Sequence, residues 1–278
     1  MSGGHVDKLN TLYESFGHGE MQNEQWMEIV KAYNFRELSK PDDILRAFAG
    51  IAQFWSRSHP QRSLDASCYL AGLWKDQLPI QLLWYNFKKP ERRPSRRNSR
   101  GDRVPIYLAP SWSWACINGF INMPPNLPPP DPFITTKCFF KSIFDFGPPV
   151  ESAAALGIKA KKTAALLKPR DSNRNWADKL SLYDTSTGKS RRLWCDVWLD
   201  ALQLNWIADP PDTVDVHCLQ ICPYDAGSRS GPCGLILMRM NESIYHRIGI
   251  FCFQKRKSED AQQQSLFKDI HREIVTLI

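Results

Sequence analysis

The sequence contains no uninterrupted apolar run of about 18 residues or more, the length that a membrane-spanning helix requires. Its first residues, Met1–Lys8, lack the basic and then apolar pattern of a secretory signal. We therefore expect a cytoplasmic protein that has no membrane partner. In a reducing compartment the eight cysteines are expected to be free thiols that pack as small buried side chains.

The local motifs of common catalytic and cofactor sites are also missing. There is no glycine-rich phosphate loop, no His-Glu-x-x-His motif and no Gly-x-Ser-x-Gly nucleophile elbow. The segment His217-Cys218-x-x-x-Cys222, followed by Cys233, offers metal donors, but its spacing is not that of a familiar zinc site. We expect no metal and no cofactor. Any nucleophilic Cys–His or Ser–His pair would have to assemble in space, because no local pattern indicates one.

The net charge of +7 is concentrated in one segment, residues 88–103. That segment holds eight basic and two acidic side chains, a net charge of +6, together with Pro90, Pro94 and Gly101. It has no apolar periodicity, which predicts a disordered, solvated basic loop. A contact with RNA or anionic lipid is the alternative interpretation. Because no aromatic residue is interleaved to stack on bases, a nucleic-acid partner is not favoured.

Helical periodicity occupies the first third of the chain. Residues 1–20 are expected to be a flexible N-terminus, and the spacing of the apolar residues from Trp26 to Tyr33 marks one face of a helix. A second helix would bury the face formed by Ile44, Leu45, Phe48, Ile51, Ala52 and Trp55. A third helix is predicted over 68–77, and Pro79 would open a further short one.

Beyond the basic loop the pattern alternates with a period of two residues, which predicts strands. The predicted strands are 106–109, 111–117, 139–144, 193–199, 216–221, 234–240, 245–253 and 273–278, with a hairpin turn over 241–243. The proline-rich stretch 121–133 should be a loop, and 159–192 should form long loops around one or two strands. A short helix is expected over 266–271.

These patterns predict the α+β class, with a helical N-terminal third packed on a mainly antiparallel β-sheet or barrel-like region. We expect a single domain over residues 21–278. It would comprise a helical part (21–87), the basic loop (88–103) and a β-rich part (104–278).

Several blocks of sequence resemble one protein family. They are Trp26-x-x-Ile29-Val30-x-x-Tyr33, Arg36-x-Leu38, Asp43–Ala52, Tyr69-Leu70-Ala71-Gly72-Leu73-Trp74, Leu82-Leu83-Trp84, Ala109-Pro110-Ser111-Trp112-Ser113-Trp114-Ala115, Gly234–Leu237, Tyr245–Phe251 and Arg272–Ile278. In order and spacing they resemble the C-terminal region of fungal heterokaryon incompatibility (HET) proteins, and the block around Trp112 is the most specific. The resemblance does not include the TIR-like half, where the family's signalling is expected. No family catalytic residue is therefore carried over, and function should reside in the tryptophan-rich part.

Ten tryptophans in 278 residues are many. On a strand, Trp112 and Trp114 would share a face that either packs in a core or lines a pocket. An aromatic-lined cavity with a few polar groups is the usual form of a small-molecule site. The candidate substrate-binding residues are Trp74, Trp112, Ser113, Trp114, Trp198 and Tyr245, and the candidate catalytic residues are Asp196, His217 and Arg247. Beside indoles, Asp196 could be a general acid with a raised pKa, or it could lie in solvent on an edge strand.

Two functions follow from these features. The first is a cofactor-independent cyclase or pericyclase of the Diels–Alder type, which would fold an apolar polyketide or terpenoid intermediate of fungal specialised metabolism into a reactive conformation. The second is a non-catalytic HET-derived interaction module in fungal incompatibility, with a HET-type protein partner. A deep apolar cavity would favour the enzyme, and an exposed hydrophobic patch would favour the module.

Overall fold

The structure is a computed structural model. It describes residues 23–34, 36, 43–60, 64–88, 95–97, 99–101, 103–105, 107–117, 119–124, 127–142, 145–169, 180–185, 190–201, 211–223, 230–254 and 266–278. The expected flexible N-terminus, residues 1–20, lies outside these ranges. Within them no helix is long and apolar enough to cross a membrane.

The described residues form two α-helices, three short 3-10 helices and fifteen strands. The α-helices are α1 (Asn23–Asn34) and α2 (Ile44–Ser58), and the 3-10 helices are η1 (Lys75–Gln77), η2 (Ile80–Leu83) and η3 (Trp114–Cys116). The strands are β1 (Tyr69–Leu70), β2 (Leu73–Trp74), β3 (Tyr85–Asn86), β4 (Ser95–Arg97), β5 (Arg103–Pro105), β6 (Ile121–Asn122), β7 (Thr135–Ser142), β8 (Pro149–Pro169), β9 (Leu180–Asp184), β10 (Arg191–Leu193), β11 (Cys195–Leu199), β12 (Val214–Cys222), β13 (Ser230–Arg239), β14 (Ile244–Gln254) and β15 (Arg272–Leu277). The chain is therefore a mixed α and β protein in which the sheet dominates.

Helix α2 has the predicted amphipathic form, because its apolar residues recur at helical spacing and its buried side chains all lie on one face. Strands β12 to β15 also form where the alternating pattern predicts them. Between β13 and β14 the turn over 241–243 is present, with the backbone N–H groups of Ser243 and Ile244 donating to the Asn241 side chain at 3.2 and 3.0 Å. An asparagine that accepts such bonds is typical of a tight turn.

Nine strands join in one sheet whose central order is β10-β9-β8-β12-β13-β14-β11. Strand β7 pairs with β8, and β15 pairs with both β14 and β8. The pairings β8–β12–β13–β14–β15 thus return to β8 and form a closed circuit. All of them are antiparallel except β14 with β15. The expected barrel-like shape stays a prediction.

The sheet separates two hydrophobic cores. The first core packs helices α1 and α2 against one sheet face, and it joins Trp26, Phe48 and Trp114 to strand residues such as Leu219 and Leu235. The second core lies on the other face and includes Leu167, Leu182, Val216, Cys218, Ile248, Phe251 and Phe267. Residues of the 21–87 part and of the 104–278 part of the expected single domain both contribute to the first core.

Four predicted elements are wrong. Within the predicted helix 68–77, residues 69–74 form a hairpin, because Ala71 and Gly72 both adopt positive φ angles (47° and 97°) and reverse the chain, and residues 75–77 form η1. Residues 111–117 turn into η3, with Ser113 accepting a hydrogen bond from the Ala115 backbone N–H as its cap. In the predicted strand 106–109, the described residues 107–109 are not in a strand, and residues 266–269 form turns instead of a helix.

Strands lie in three segments that were expected to be loops or mainly loops. The predicted loop 121–133 begins with β6, and the segment 159–192, expected to hold one or two strands, includes the end of β8 and all of β9. Strand β8 runs through 21 residues, including most of the first half of the predicted loops over 159–192. Its sequence is rich in alanine and lysine, which are uncommon in strands, and its pairing with β7, β9, β12 and β15 overrides that local preference. In the basic loop, β4 pairs with β5, so disorder was the wrong prediction for those residues.

Candidate functional site

The two most specific sequence motifs meet at the turn between β1 and β2. The carbonyl oxygen of Gly72 accepts hydrogen bonds from the indole N–H groups of Trp26 (2.9 Å) and Trp114 (3.1 Å). Ser113 donates its hydroxyl to the carbonyl oxygen of Ala71 at 2.6 Å. These contacts bind the motif around Trp112 to the motif around Gly72 and to α1.

This arrangement is a packed core. Trp74, Trp112 and Trp114 each have 0% of their surface accessible. A side chain that lined a cavity large enough for a ligand would keep some accessible surface, so these three side chains pack in a core, one of the two interpretations that the sequence left open. Their role in substrate binding stays a prediction. Trp74 packs edge-on against Trp26 with ring centroids 5.3 Å apart, and Trp114 packs in the same way on Phe48 at 5.0 Å. Ser113 is also completely buried. Its hydroxyl caps η3 and donates to the Ala71 carbonyl oxygen in the turn.

Of the candidate catalytic residues, Arg247 is held in a buried polar network. It extends from β14 into the first core, where its guanidinium donates to Asp200 Oδ1 at 3.0 Å and to the Trp84 carbonyl oxygen. Its guanidinium carbon also lies 3.3 Å from the centroid of the Trp84 ring. Both charged side chains are completely buried. An ion pair in such a place needs each of these contacts to offset its lost hydration.

The backbone of Arg247 is fixed by the tryptophan motif. Its N–H donates to the Ser111 hydroxyl at 3.0 Å, and the Ser111 N–H donates to the Ile278 carbonyl oxygen at the same distance. The motif therefore joins strand β14 to the residue after β15. This structural role for Ser111 was not predicted.

His217 and Tyr245 form a second group on the same sheet face. Their rings meet edge-on with centroids 5.3 Å apart, and Lys162 donates to the Tyr245 hydroxyl. Lys162 also pairs with Glu273 at 3.3 Å. Burial lowers the pKa of His217 below 6.5, and Lys162 lowers it further. A depressed pKa keeps the imidazole neutral at neutral pH.

Asp196 and Trp198 form a third group, on β11. Both side chains are half-buried, and the Trp198 ring lies 4.7 Å from the Tyr85 ring. Burial raises the pKa of Tyr85, and the neighbouring Asp196 carboxylate raises it further. The general-acid role of Asp196 stays a prediction. Within the described residues, the nine candidates thus lie in the tryptophan core, the Arg247 network, the His217 group and the β11 group.

A disulfide was missed by the sequence reasoning. Cys233 and Cys252 lie opposite each other on β13 and β14 and are bonded, whereas the remaining six cysteines form no disulfide. Cys222 is the partner of Cys233 on the other side, so three cysteines form one row across the sheet. Burial raises the pKa of Cys222 to about 12, which keeps it protonated. Only the strand register brings these residues together, and no local spacing could have indicated it.

The outward side of β7, β8 and β15 carries a shallow depression, which we call the outer groove. Its floor is Ala155 and Gly157 of β8, its walls are Lys137 and Phe139 of β7 and Ile274 of β15, and Lys159 stands at one end. The cavity measures about 350 Å³. Phe139 and Ile274 are 66% and 68% exposed, so large apolar side chains face solvent here.

No family model matches this chain, and neither a curated protein nor a solved structure matches it.

Proposed function

We propose that this protein is a non-catalytic interaction module, related to the C-terminal region of fungal HET proteins, which binds a protein partner through the outer groove. The observation that carries the proposal is a contrast in exposure. Three of the four tryptophans expected to hold a substrate, Trp74, Trp112 and Trp114, have no accessible surface, whereas Phe139 and Ile274 are about two-thirds exposed. These two apolar side chains line the same depression, and this arrangement favours a contact with another molecule there.

The contacts between the motifs support the same proposal. Buried hydrogen bonds join Ser113 and Trp114 to the turn at Ala71 and Gly72, and Ser111 of the same motif accepts from the backbone of Arg247 on β14. Arg247 and Asp200 pair with each other at 3.0 Å and are completely buried, so neither charge is exposed on the surface. These residues stabilise the fold, and the contact surface is elsewhere.

Photocrosslinking tests the position of the contact surface. A benzophenone amino acid would replace Phe139 in one variant and Met240, a 50% exposed residue outside the groove, in a control. We expect a discrete protein adduct from position 139 only, and the crosslinked protein, once purified, should bind the unmodified chain. Equal adducts from both positions, or none from position 139, would contradict the proposal.

A second experiment addresses the competing cyclase hypothesis. The purified chain would be incubated with metabolite extracts of its host, with heat-treated chain as the control. The module predicts identical metabolite profiles. Heat-labile conversion of an uncyclised precursor would overturn the module in favour of the enzyme.

A further inference from the structure

We propose that the outer groove receives one aromatic side chain of an acidic, extended segment of a partner protein. This inference rests on the proposed function, and it names the chemistry of the partner.

The shape of the groove follows from the strand register. Phe139 and Lys137 of β7 lie opposite Ala155 and Gly157 of β8, so two large side chains on β7 flank two small residues on β8. Ile274, opposite Lys159, bounds the other side. The depression is thus about one side chain wide, and its volume of about 350 Å³ has room for a single large ring and little more. Aromatic anchors in such pockets dominate the energy of many protein contacts.

The charges of the groove select for carboxylates. Lys137 and Lys159 border it, and no acidic side chain is among its lining residues. The nearby carboxylate of Glu273 pairs with Lys162. Lys162 also contacts Tyr245 of the first core, so this ion pair lies on the opposite face of the sheet from the groove. A partner segment with Asp or Glu beside the aromatic residue would meet complementary charge, which favours both the rate and the specificity of association.

A second copy of this chain is a poorer occupant. A symmetric dimer through this face would bring the lysines of one groove towards those of the other. Like charges across an interface are unfavourable. The groove therefore favours a different, acidic partner.

Gly157 offers a clean test of the groove. A Cβ atom built at this position would lie 3.4 Å from the Lys137 carbonyl oxygen and 4.0 Å from Ile274 Cγ2, both ordinary contacts. Valine suits a strand. Gly157→Val should therefore fold normally while its side chain fills the floor. A thermal melt would verify that this variant is at least as stable as the wild type.

The binding experiment would select a displayed library of random peptides on the wild-type chain, with counter-selection on Gly157→Val. We expect enrichment of peptides with one aromatic residue flanked by Asp or Glu. A labelled selected peptide should bind Gly157→Val, and Lys137→Glu/Lys159→Glu, at least about tenfold more weakly than the wild type, and added salt should weaken binding. Arg57→Glu, a charge reversal at an exposed position on α2, should leave its affinity unchanged.

The other outcomes overturn the inference. Enriched peptides without acidic or aromatic residues, or with affinity insensitive to Gly157→Val, would show a different contact, while the interaction module would stand. If no peptide is enriched, the inference fails, and the crosslinking at Phe139 decides the proposed function separately. Binding to vesicles of phosphatidylserine that is lost in Gly157→Val would assign the groove to a lipid surface instead.

Discussion

At the scale of single residues, Gly72 is the most constrained position in the tryptophan core. Its φ angle is +97°, and a Cβ atom there would lie 2.4 Å from Trp114 Nε1. Gly72→Ala should therefore destabilise the fold by about 2–5 kcal/mol, from the left-handed backbone and the overlap with the indole. Urea denaturation measures the free energy of unfolding.

The matched control is Gly50→Ala in the exposed face of α2. A Cβ atom at Gly50 has no neighbour within 4 Å. This substitution should stabilise the protein by about 0.5–1 kcal/mol, because alanine is the better helix former. Equal effects of the two substitutions would mean that Gly72 and Trp114 are not in contact.

Arg247 is predicted to act as a structural residue. Arg247→Met removes the charge partner of the fully buried Asp200, and the loss should be about 3–5 kcal/mol. Asp200→Leu should have an effect of similar size, and the double variant should be far more stable than the sum of the single losses indicates. Additive losses in this double-mutant cycle would contradict the direct pairing.

His217 should make stability depend on pH. Because its pKa is lowered in the folded state, the unfolded chain binds the proton more strongly. Its contribution to stability is therefore present above about pH 6.5, the unfolded pKa, and is lost as the pH falls below that value. His217→Phe keeps a ring against Tyr245 and should lose less stability between about pH 7 and pH 5 than the wild type does. Parallel pH profiles of the two proteins would contradict this expectation.

At the scale of elements, the disulfide between β13 and β14 gives a direct prediction. Alkylation of the denatured, unreduced chain should label six cysteines, and labelling after reduction should reach all eight. The bond closes a loop of 19 residues, so reduction should lower the free energy of unfolding by about 3 kcal/mol. Cys68→Ser, a change at a half-buried cysteine outside the disulfide, is the control that should reduce the count of labelled cysteines to five before reduction. Eight labelled cysteines without reductant would contradict the bond.

Elements were predictable from the sequence where local pattern and tertiary packing agree. The apolar spacing of α2 and the alternating apolar residues of β12 and β14 are local signals, and both places have the expected element. The hairpin over 69–74 was missed because two apolar pairs on either side of a two-residue turn imitate the spacing of a helix face. The full length of β8 was not predicted because alanine can be buried beside a large side chain in either a helix or a strand. The positions of its alanines therefore do not indicate which element forms.

The candidate site was less predictable than the elements. The predicted strand face shared by Trp112 and Trp114 is wrong, because Ser113 caps a 3-10 helix that begins at Trp114. The outer groove combines residues of β7, β8 and β15, which are distant in sequence and meet only through the register of the sheet. Its central residue, Gly157, matters through the side chain that it lacks. No motif search detects such a site.

At the scale of the whole molecule, the central strands of the sheet belong to both cores. On β12, Leu219 faces the first core and Cys218 the second, and β13 likewise divides Leu235 and Ile236 between them. The same strands support both cores. If one core loses its packing, these strands lose their support on one face, and the other core is destabilised as well. Unfolding should therefore be a single cooperative transition.

Tryptophan fluorescence can test this coupling, because the six fully buried tryptophans belong to the first core. Leu182→Ala creates a cavity in the second core and should reduce the free energy of unfolding by about 2–5 kcal/mol. We expect the fluorescence transition and the far-UV circular dichroism transition of this variant to shift together, to the same lower urea concentration. Leu83→Ala, in the first core, should shift both transitions in the same way. If Leu182→Ala moved the circular dichroism transition and left the fluorescence transition in place, the two cores would unfold independently, and the shared strands would not couple them.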